Sequence, residues 1–377
     1  MNEPLSKIPD GMRYYFGAEA RLRRAVEDTI MRVFDGWSYE EIVTPSVDYL
    51  ALFERGMGRD AAQQTFRFTD RDGRLLALRP DVTSSVARAA ATLFAPRGRP
   101  LRLCYAASVF RHQSRSHADW RRESSQLGCE LIGPAAGDAE IETLAMAAEI
   151  FARLGLQGRY RITLSSVEVF NGVAERLDLD AGERETLRHL IDVRDAAEVR
   201  RFLRSTATPA RDCDAFSGLV QLPGKREVLD AARRIVTNGR SVRALDALDR
   251  LWRVFEELSL SHAFEIDLGD VSGLDYYTGL TFKMYVEGAG SRVGGGGRYD
   301  GLTANFGRAE PAIGFVLDLN ALTEILARDG SCTAPADSGP RPARILGQGA
   351  AAAFREARRL RERGERVAVE LGGGGDA

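Results

Sequence analysis

Apolar positions recur along the chain with two different periods. Over residues 17–36 they fall at Ala20, Leu22, Val26, Ile30, Val33 and Phe34, one side of a helix. "YEEIVTPSVDYL" follows as a short strand broken by Pro45. In "TFRFTDRDGRLLALRPDVT" two alternating runs flank "DRDG" at 70–73, a hairpin signal. "SSVARAAATLF" has helical spacing. "LRLCYAASVFR" and "SQLGCELIG" predict a second strand pair, joined by the polar "HQSRSHADWRRE". A strong helix runs from near Asp138 to Gly155, and "YRITLSSVEVF" is expected as a strand after it.

Residues 172–258 change character. They are rich in Arg, Asp, Glu, Leu and Ala and poor in strand formers, which predicts an inserted helical subdomain. Strands return in "FEIDLGDVSGLDYYTGLTFKMYVEG" and after the glycines 294–297, and "PAIGFVLDLNALTEILA" reads as a strand running into a helix. Residues 330–343 have linker composition. A helix, "AAAAFREARRLRERG", and a strand, "ERVAVEL", close the chain. Hairpin-joined strands outnumber single βαβ units, which argues a mostly antiparallel sheet backed by helices, an α+β fold. The expected division is a core in two parts (1–171 and 259–328), a helical insertion (172–258), and a linker with a short α/β remnant (329–377).

Composition narrows the function. The 377 residues suffice for two or three domains, and 44% hydrophobic with 28% charged residues describes an ordinary globular protein. A formal net charge of −2 supplies no global field for nucleic acid. Lysine is confined to Lys7, Lys225 and Lys283 while arginine is abundant, a pattern that coding bias explains. Cys104, Cys129, Cys213 and Cys332 are scattered, with no Cys/His set at zinc spacing, so no metal and no cofactor is expected. Cys104 and Cys129 lie in apolar runs and read as buried free thiols. The N-terminus has no apolar signal core, and no run of 18 apolar residues occurs. A reduced, cytoplasmic protein is the expectation.

Several short stretches carry candidate chemistry. In "LALRPDVTSSVAR", Asp81 and Thr83 stand at a strand–helix junction, where they either cap the helix or bind an ammonium group. Arg111 ends an apolar strand, either in solvent or with its fork placed to grip a carboxylate or phosphate. Gln126 and Glu130 would share one strand face, opposite Leu127, Cys129 and Leu131. "DVSGLDYYTGLTF" sets Tyr276 and Tyr277 side by side on a strand, so one faces each way. The glycine run "GGGGRYDG" lacks the spacing of a phosphate loop and suits a glycine-rich hairpin at least as well.

In combination these stretches are specific. "RLCYAASVFR…RRESSQLGCELIG", "GLDYYTG" and "GGGGRYDGL…PAIGF" resemble, in order and spacing, the histidyl-tRNA synthetases, and "LRPDVT" is similar to that family's Leu-Arg-Pro-Glu-x-Thr. The resemblance covers residues 8 to about 325. It implies the class II synthetase fold, an antiparallel sheet of six or so strands with flanking helices, and usually a dimer. It further implies that Asp81 and Thr83 hold a ligand ammonium, that Gln126 and Arg111 lie near its carboxylate, and that Glu130 with Tyr276 or Tyr277 holds an imidazole. Asp81 is one methylene shorter than the family's glutamate.

The ATP side departs from that pattern. Ser272 stands where the family's histidine strand begins with an arginine. Asp318, Asn320 and Ala321 replace the end of the third class II motif, whose arginine grips the ATP tail, and Gln113 replaces an acid of the second. The chain thus resembles more closely the regulatory subunits of ATP phosphoribosyltransferase. That resemblance implies a short-form catalytic subunit as partner, L-histidine as feedback ligand, a self-dimer within a hetero-oligomer, and no tRNA or membrane partner. The rival expectations are a divergent histidyl-tRNA synthetase or synthetase-like ligase, and a scaffold with a vestigial pocket.

Overall fold

The computed structural model describes residues 7–58, 62–112, 121–134, 137–175, 177, 179–206, 208–220, 223–270, 277–329, 343–345 and 350–369. The first half contains α1 (Gly17–Gly36), β1 (Glu40–Glu41), β2 (Val47–Tyr49), α2 (Leu50–Met57), β3 (Arg67–Thr69), β4 (Leu75–Leu78), α3 (Thr83–Ala91), β5 (Leu101–Phe110), β6 (Glu123–Ile132), α4 (Asp138–Arg153) and β7 (Tyr160–Ser166). A helical stretch follows: α5 (Val167–Ala174), α6 (Ala181–Asp192), α7 (Ala196–Ser205), α8 (Ala210–Val220), the short β8 (Pro223–Gly224), α9 (Glu227–Ile235) and α10 (Gly239–Glu257). The chain then returns through β9 (Phe264–Asp267), β10 (Leu280–Val286), β11 (Gly294–Arg298), β12 (Ala312–Asp318) and α11 (Leu319–Asp329). Last come β13 (Ala343–Ile345), α12 (Ala350–Glu362) and β14 (Val367–Val369).

Nine strands form one sheet in the order β1-β5-β6-β12-β11-β10-β7-β9-β8. The β1–β5 and β7–β9 pairs are parallel and the others antiparallel. The helical stretch therefore returns β8 to this sheet, beside β9. A small sheet, β2-β4-β3, stands apart, and β13 and β14 pair in parallel around α12.

Side-chain alternation gives the large sheet two unlike faces. One carries the main core. Leu127, Cys129 and Leu131 of β6, Phe282 and Met284 of β10, and Ile162 and Leu164 of β7 pack there with Leu22, Val26, Ile30 and Phe34 of α1, Leu144, Ile150 and Phe151 of α4, and Leu322 and Leu326 of α11. The α1 residues are the stripe that the sequence pattern predicts. The opposite face holds a smaller cluster: Leu101, Leu103 and Tyr105 of β5, Ile132, Tyr299 and Ala312, covered by Val86, Ala87 and Ala90 of α3. Arg23 of α1 ties the layers together. It donates to Asn320 Oδ1 at the start of α11 and to Ser125 Oγ of β6, both at 2.9 Å.

Three expectations change in detail. "YRITLSSVEVF" is a strand only to Ser166, after which "VEVF" opens α5. Val169 and Phe170 bury into the main core there, so tertiary packing overrides their strand preference. In "DVSGLDYYTGLTF" the strand begins at Leu280; residues 271–276, with Ser272 and Tyr276, lie outside the described residues. The strand expected after the glycine run begins within it: Gly294–Arg298 is β11, paired antiparallel with β10 and β12 as an arm of glycine-rich hairpins and not a phosphate loop. Cys104, Cys129 and Cys213 are buried free thiols, and Cys332 lies outside the described residues.

Candidate functional site

The site lies on the second face of the sheet, and strand register builds it. Leu103, Glu130, Gly314, Gly297, Thr281 and Ser165 form one row across β5, β6, β12, β11, β10 and β7. Two glycines occupy the middle of that row. A methyl group at 314 would overlap Glu130 Oε2 and the Cys129 backbone oxygen, and one at 297 would stand 2.8 Å from the Tyr277 ring. Glycine at these points lets Glu130 and Tyr277 lie down on the strands next to them. Along β6 the same face reads Gln126, Gly128, Glu130: two polar side chains separated by a bare position.

Glu130 is 2% exposed. Tyr105 Oη donates to its Oε1 at 3.1 Å, Tyr299 Oη donates to its Oε2, and Thr83 adds a third hydrogen bond. Desolvation is the largest influence on this carboxyl and the nearby Asp81 charge acts in the same direction. The three hydroxyl donors oppose them, and the outcome is a pKa raised from 4.5 to about 7. Tyr105 belongs to an apolar strand cluster and Tyr299 directly follows the glycine strand. Neither stands out from the sequence pattern. The available signal was a general one, that a buried tyrosine hydroxyl finds a partner.

Asp81 does cap a helix. Its Oδ1 accepts from Ser84 N at 3.0 Å and its Oδ2 from Ser84 Oγ at 3.1 Å, in the first turn of α3. That bond also fixes Thr83 at the helix start, where its hydroxyl reaches Glu130. Capping and site-building are thus compatible here. Tyr277 packs on the cluster that contains Tyr105 and Tyr299. At the other end of the β6 face, Gln126 pairs with Asp318 of β12 and Ala107 of β5. Gln126 Oε1 is buried with no hydrogen-bond partner among the described residues. Arg111 follows β5, and its backbone N–H donates to Arg122 O at 2.9 Å. The structure therefore brings Asp81, Thr83, Glu130 and Tyr277 together and sets Gln126 further along the same face. Tyr276 lies outside the described residues.

Near Gln126 the side chains are already engaged. Asp318 Oδ1 accepts from Asn320 N at 2.8 Å and Ala321 N at 3.1 Å, capping α11. Asn320 is buried, and its Nδ2 donates to Tyr15 Oη at 3.0 Å. Ala321 packs against the main core. Among the described residues no group of three or more His, Cys, Asp or Glu could hold a metal ion, and no helix is long and apolar enough to cross a membrane.

The same architecture occurs in known proteins. The histidyl-tRNA synthetase family profile matches residues 11–322. Histidyl-tRNA synthetase from Nostoc sp. PCC 7120 superposes with a TM-score of 0.78 at 21% identity, over 99% of this chain and 87% of that one. The crystal structure of an ATP phosphoribosyltransferase regulatory subunit/histidyl-tRNA synthetase from Bacillus halodurans superposes with a TM-score of 0.88 at 28% identity, over 100% of this chain and 96% of that one. The ATP phosphoribosyltransferase regulatory subunit of Moorella thermoacetica is 35% identical over 369 residues, 98% of this chain and 93% of the relative. That of Syntrophotalea carbinolica is 37% identical over 326 residues, 86% and 76%. The fold and the sheet-face site define a histidyl-tRNA synthetase-like protein of class II architecture. Within that class, the chain belongs to the family of ATP phosphoribosyltransferase regulatory subunits.

Proposed function

We propose that this protein is a non-catalytic subunit of ATP phosphoribosyltransferase, acting at the first step of histidine biosynthesis. It activates a short-form catalytic subunit by assembling with it, and it senses L-histidine for feedback inhibition. The observation that carries this is the buried Glu130 with its three hydroxyl donors, beside Asp81 and over a glycine floor. A carboxyl so placed suits a ring N–H donor. Asp81 and Thr83 then take the ammonium, Arg111 and Gln126 the carboxylate, and Glu130 with Tyr276 or Tyr277 the imidazole.

The ATP side supports a non-catalytic role. Amino-acid activation needs cations placed around the phosphates. Ser272 supplies none, and Ala321 packs on the core where the family's ATP-gripping arginine is expected. Loss of one such transition-state contact costs ~3–4 kcal/mol. Asp318 and Asn320 serve instead to cap and anchor α11. The division into a two-part core with an insertion at 172–258 and a C-terminal segment from 329 goes with this proposal.

A self-dimer has support in the small sheet. Tyr49, Leu76 and Phe68 form a row across it, with Val47 and Leu78 beside them. Val47 and Tyr49 are each 38% exposed and Phe68 is 43% exposed, an apolar face suited to a second copy.

Co-expression with a short-form catalytic subunit tests the proposal. The expected result is a complex whose activity exceeds that of the catalytic subunit alone and falls on adding L-histidine. ATP–pyrophosphate exchange with histidine by the isolated protein would overturn the non-catalytic assignment in favour of a ligase. Binding of the partner without any heat or thermal shift from histidine would leave only a scaffold.

A further inference from the structure

Glu130 is a buried acid whose hydrogen-bond partners among the described residues are all neutral. Tyr105 faces it from β5, Tyr299 from the residue after β11, and Thr83 from the start of α3; all three are neutral donors. Gly314 of β12 presents no side chain. The nearby charge of Asp81 is of like sign, and the neighbouring Cys129 lies on the opposite face of β6. Among the described residues Glu130 makes no ion pair. An ionised carboxylate in such a place is costly until a counter-charge arrives. The described residues supply none, and a protonated ligand ring can.

We propose that the pocket binds its imidazole as the cation, the ring and Glu130 together holding one proton as an ion pair, so that histidine affinity passes through a maximum near neutral pH. This rests on the assignment of the pocket to histidine. The proton count is explicit. Empty Glu130 titrates near 7 and free imidazole at about 6.5. Below both values, two protons are bound before association and one after, so one is released. Above both, none is bound before and one after, so one is taken up. Affinity therefore falls about tenfold per pH unit on either side of the maximum. A neutral imidazole donating to a carboxylate behaves differently: above neutrality it exchanges no proton and its affinity reaches a plateau.

Titration calorimetry of the intact protein with L-histidine, from about pH 5.5 to about pH 8.5 in pairs of buffers with different ionisation heats, separates the two. The expected result is binding weakened about tenfold between about pH 7.5 and about pH 8.5, with nearly one proton taken up there and one released at the acid end. A plateau above neutrality without proton uptake overturns the inference while leaving the histidine assignment standing. Absence of histidine binding at every pH overturns both. Glu130→Gln should bind more weakly and lose the alkaline proton uptake; retention of that uptake overturns the inference. A second probe, triazolylalanine, needs no variant. Its ring has nearly the shape of imidazole but stays neutral over this range, so it should bind at least tenfold more weakly than histidine at neutral pH. Equal affinity would place the ring in the pocket uncharged.

Discussion

Glu130 is where several physical demands meet, and its titration makes stability depend on pH. Its pKa in the folded protein lies above the unfolded value, from 4.5 to about 7. The stabilising contribution of the protonated form is therefore fully present below about 4.5 and is lost as pH rises through about 7. Without ligand, the parent protein should lose about 3 kcal/mol of unfolding free energy across that window. Glu130→Gln should lack this slope, as urea denaturation at a series of pH values will show. Asp81 poses a different question, because it both caps α3 and faces the site. Asp81→Asn keeps an acceptor for Ser84 N and removes the charge, so stability should change by less than ~0.5 kcal/mol while histidine binding weakens. Asp81→Ala should lose both, at ~1 kcal/mol of stability. If the two variants bind histidine as the parent does, Asp81 is only a cap. Much of this residue-level picture was legible in the sequence: even spacing put Gln126 and Glu130 on one face, and Thr83 at a helix start. Tyr105 and Tyr299 were not legible, because what makes them partners of Glu130 is strand register, between the consecutive β5 and β6 for Tyr105 and between strands far apart in the chain for Tyr299.

At the level of elements, the instructive case is β11. Four consecutive glycines have poor strand propensity, and the sequence pattern placed the strand after them. In the structure their value lies in what they leave empty, with Gly297 giving space to Tyr277 and Gly296 lying against Gly314 of β12. The same logic makes Gly314→Ala a sharp test. A methyl there has no free volume beside Glu130, so overpacking should destabilise by ~1–3 kcal/mol and displace the carboxyl. Thermal unfolding and histidine titration should both register the change; an unaltered Kd would remove Gly314 from the site. α5 teaches the opposite lesson to β11. "VEVF" has strand-forming residues, yet burial of Val169 and Phe170 against neighbouring helices wins. α1 needed no such correction, since its period of 3.6 already named the buried stripe.

For the whole molecule, activation and inhibition should be separable. Under the proposed function, activation needs an assembled interface, whereas inhibition needs ligand contacts as well. Tyr277→Phe combined with Glu130→Gln should therefore leave complex formation and activation intact and abolish inhibition by histidine. A typical coupling of ~1–3 kcal/mol corresponds to a change of roughly 5–150-fold in affinity. By reciprocity, substrates that favour the active complex must weaken its hold on histidine. Inhibition of the double mutant at the parent's histidine concentration would move the regulatory site elsewhere. The self-dimer has its own test: Phe68→Glu should shift the isolated protein towards monomer in sedimentation velocity without unfolding it.

The borders of the large sheet carry a last consequence. Its outermost strands, β1 and β8, are two residues long, and β8 begins with Pro223, which has no N–H to offer. A strand from another molecule finds almost no ladder to extend. Across these two borders, contact with another chain is left to side chains, not to the backbone. Backbone pairing is nearly indifferent to sequence, but a side-chain contact can be altered by one codon. At the borders of this sheet, specificity would rest on the most editable part of the chain, while the ladder beneath stays closed to strangers.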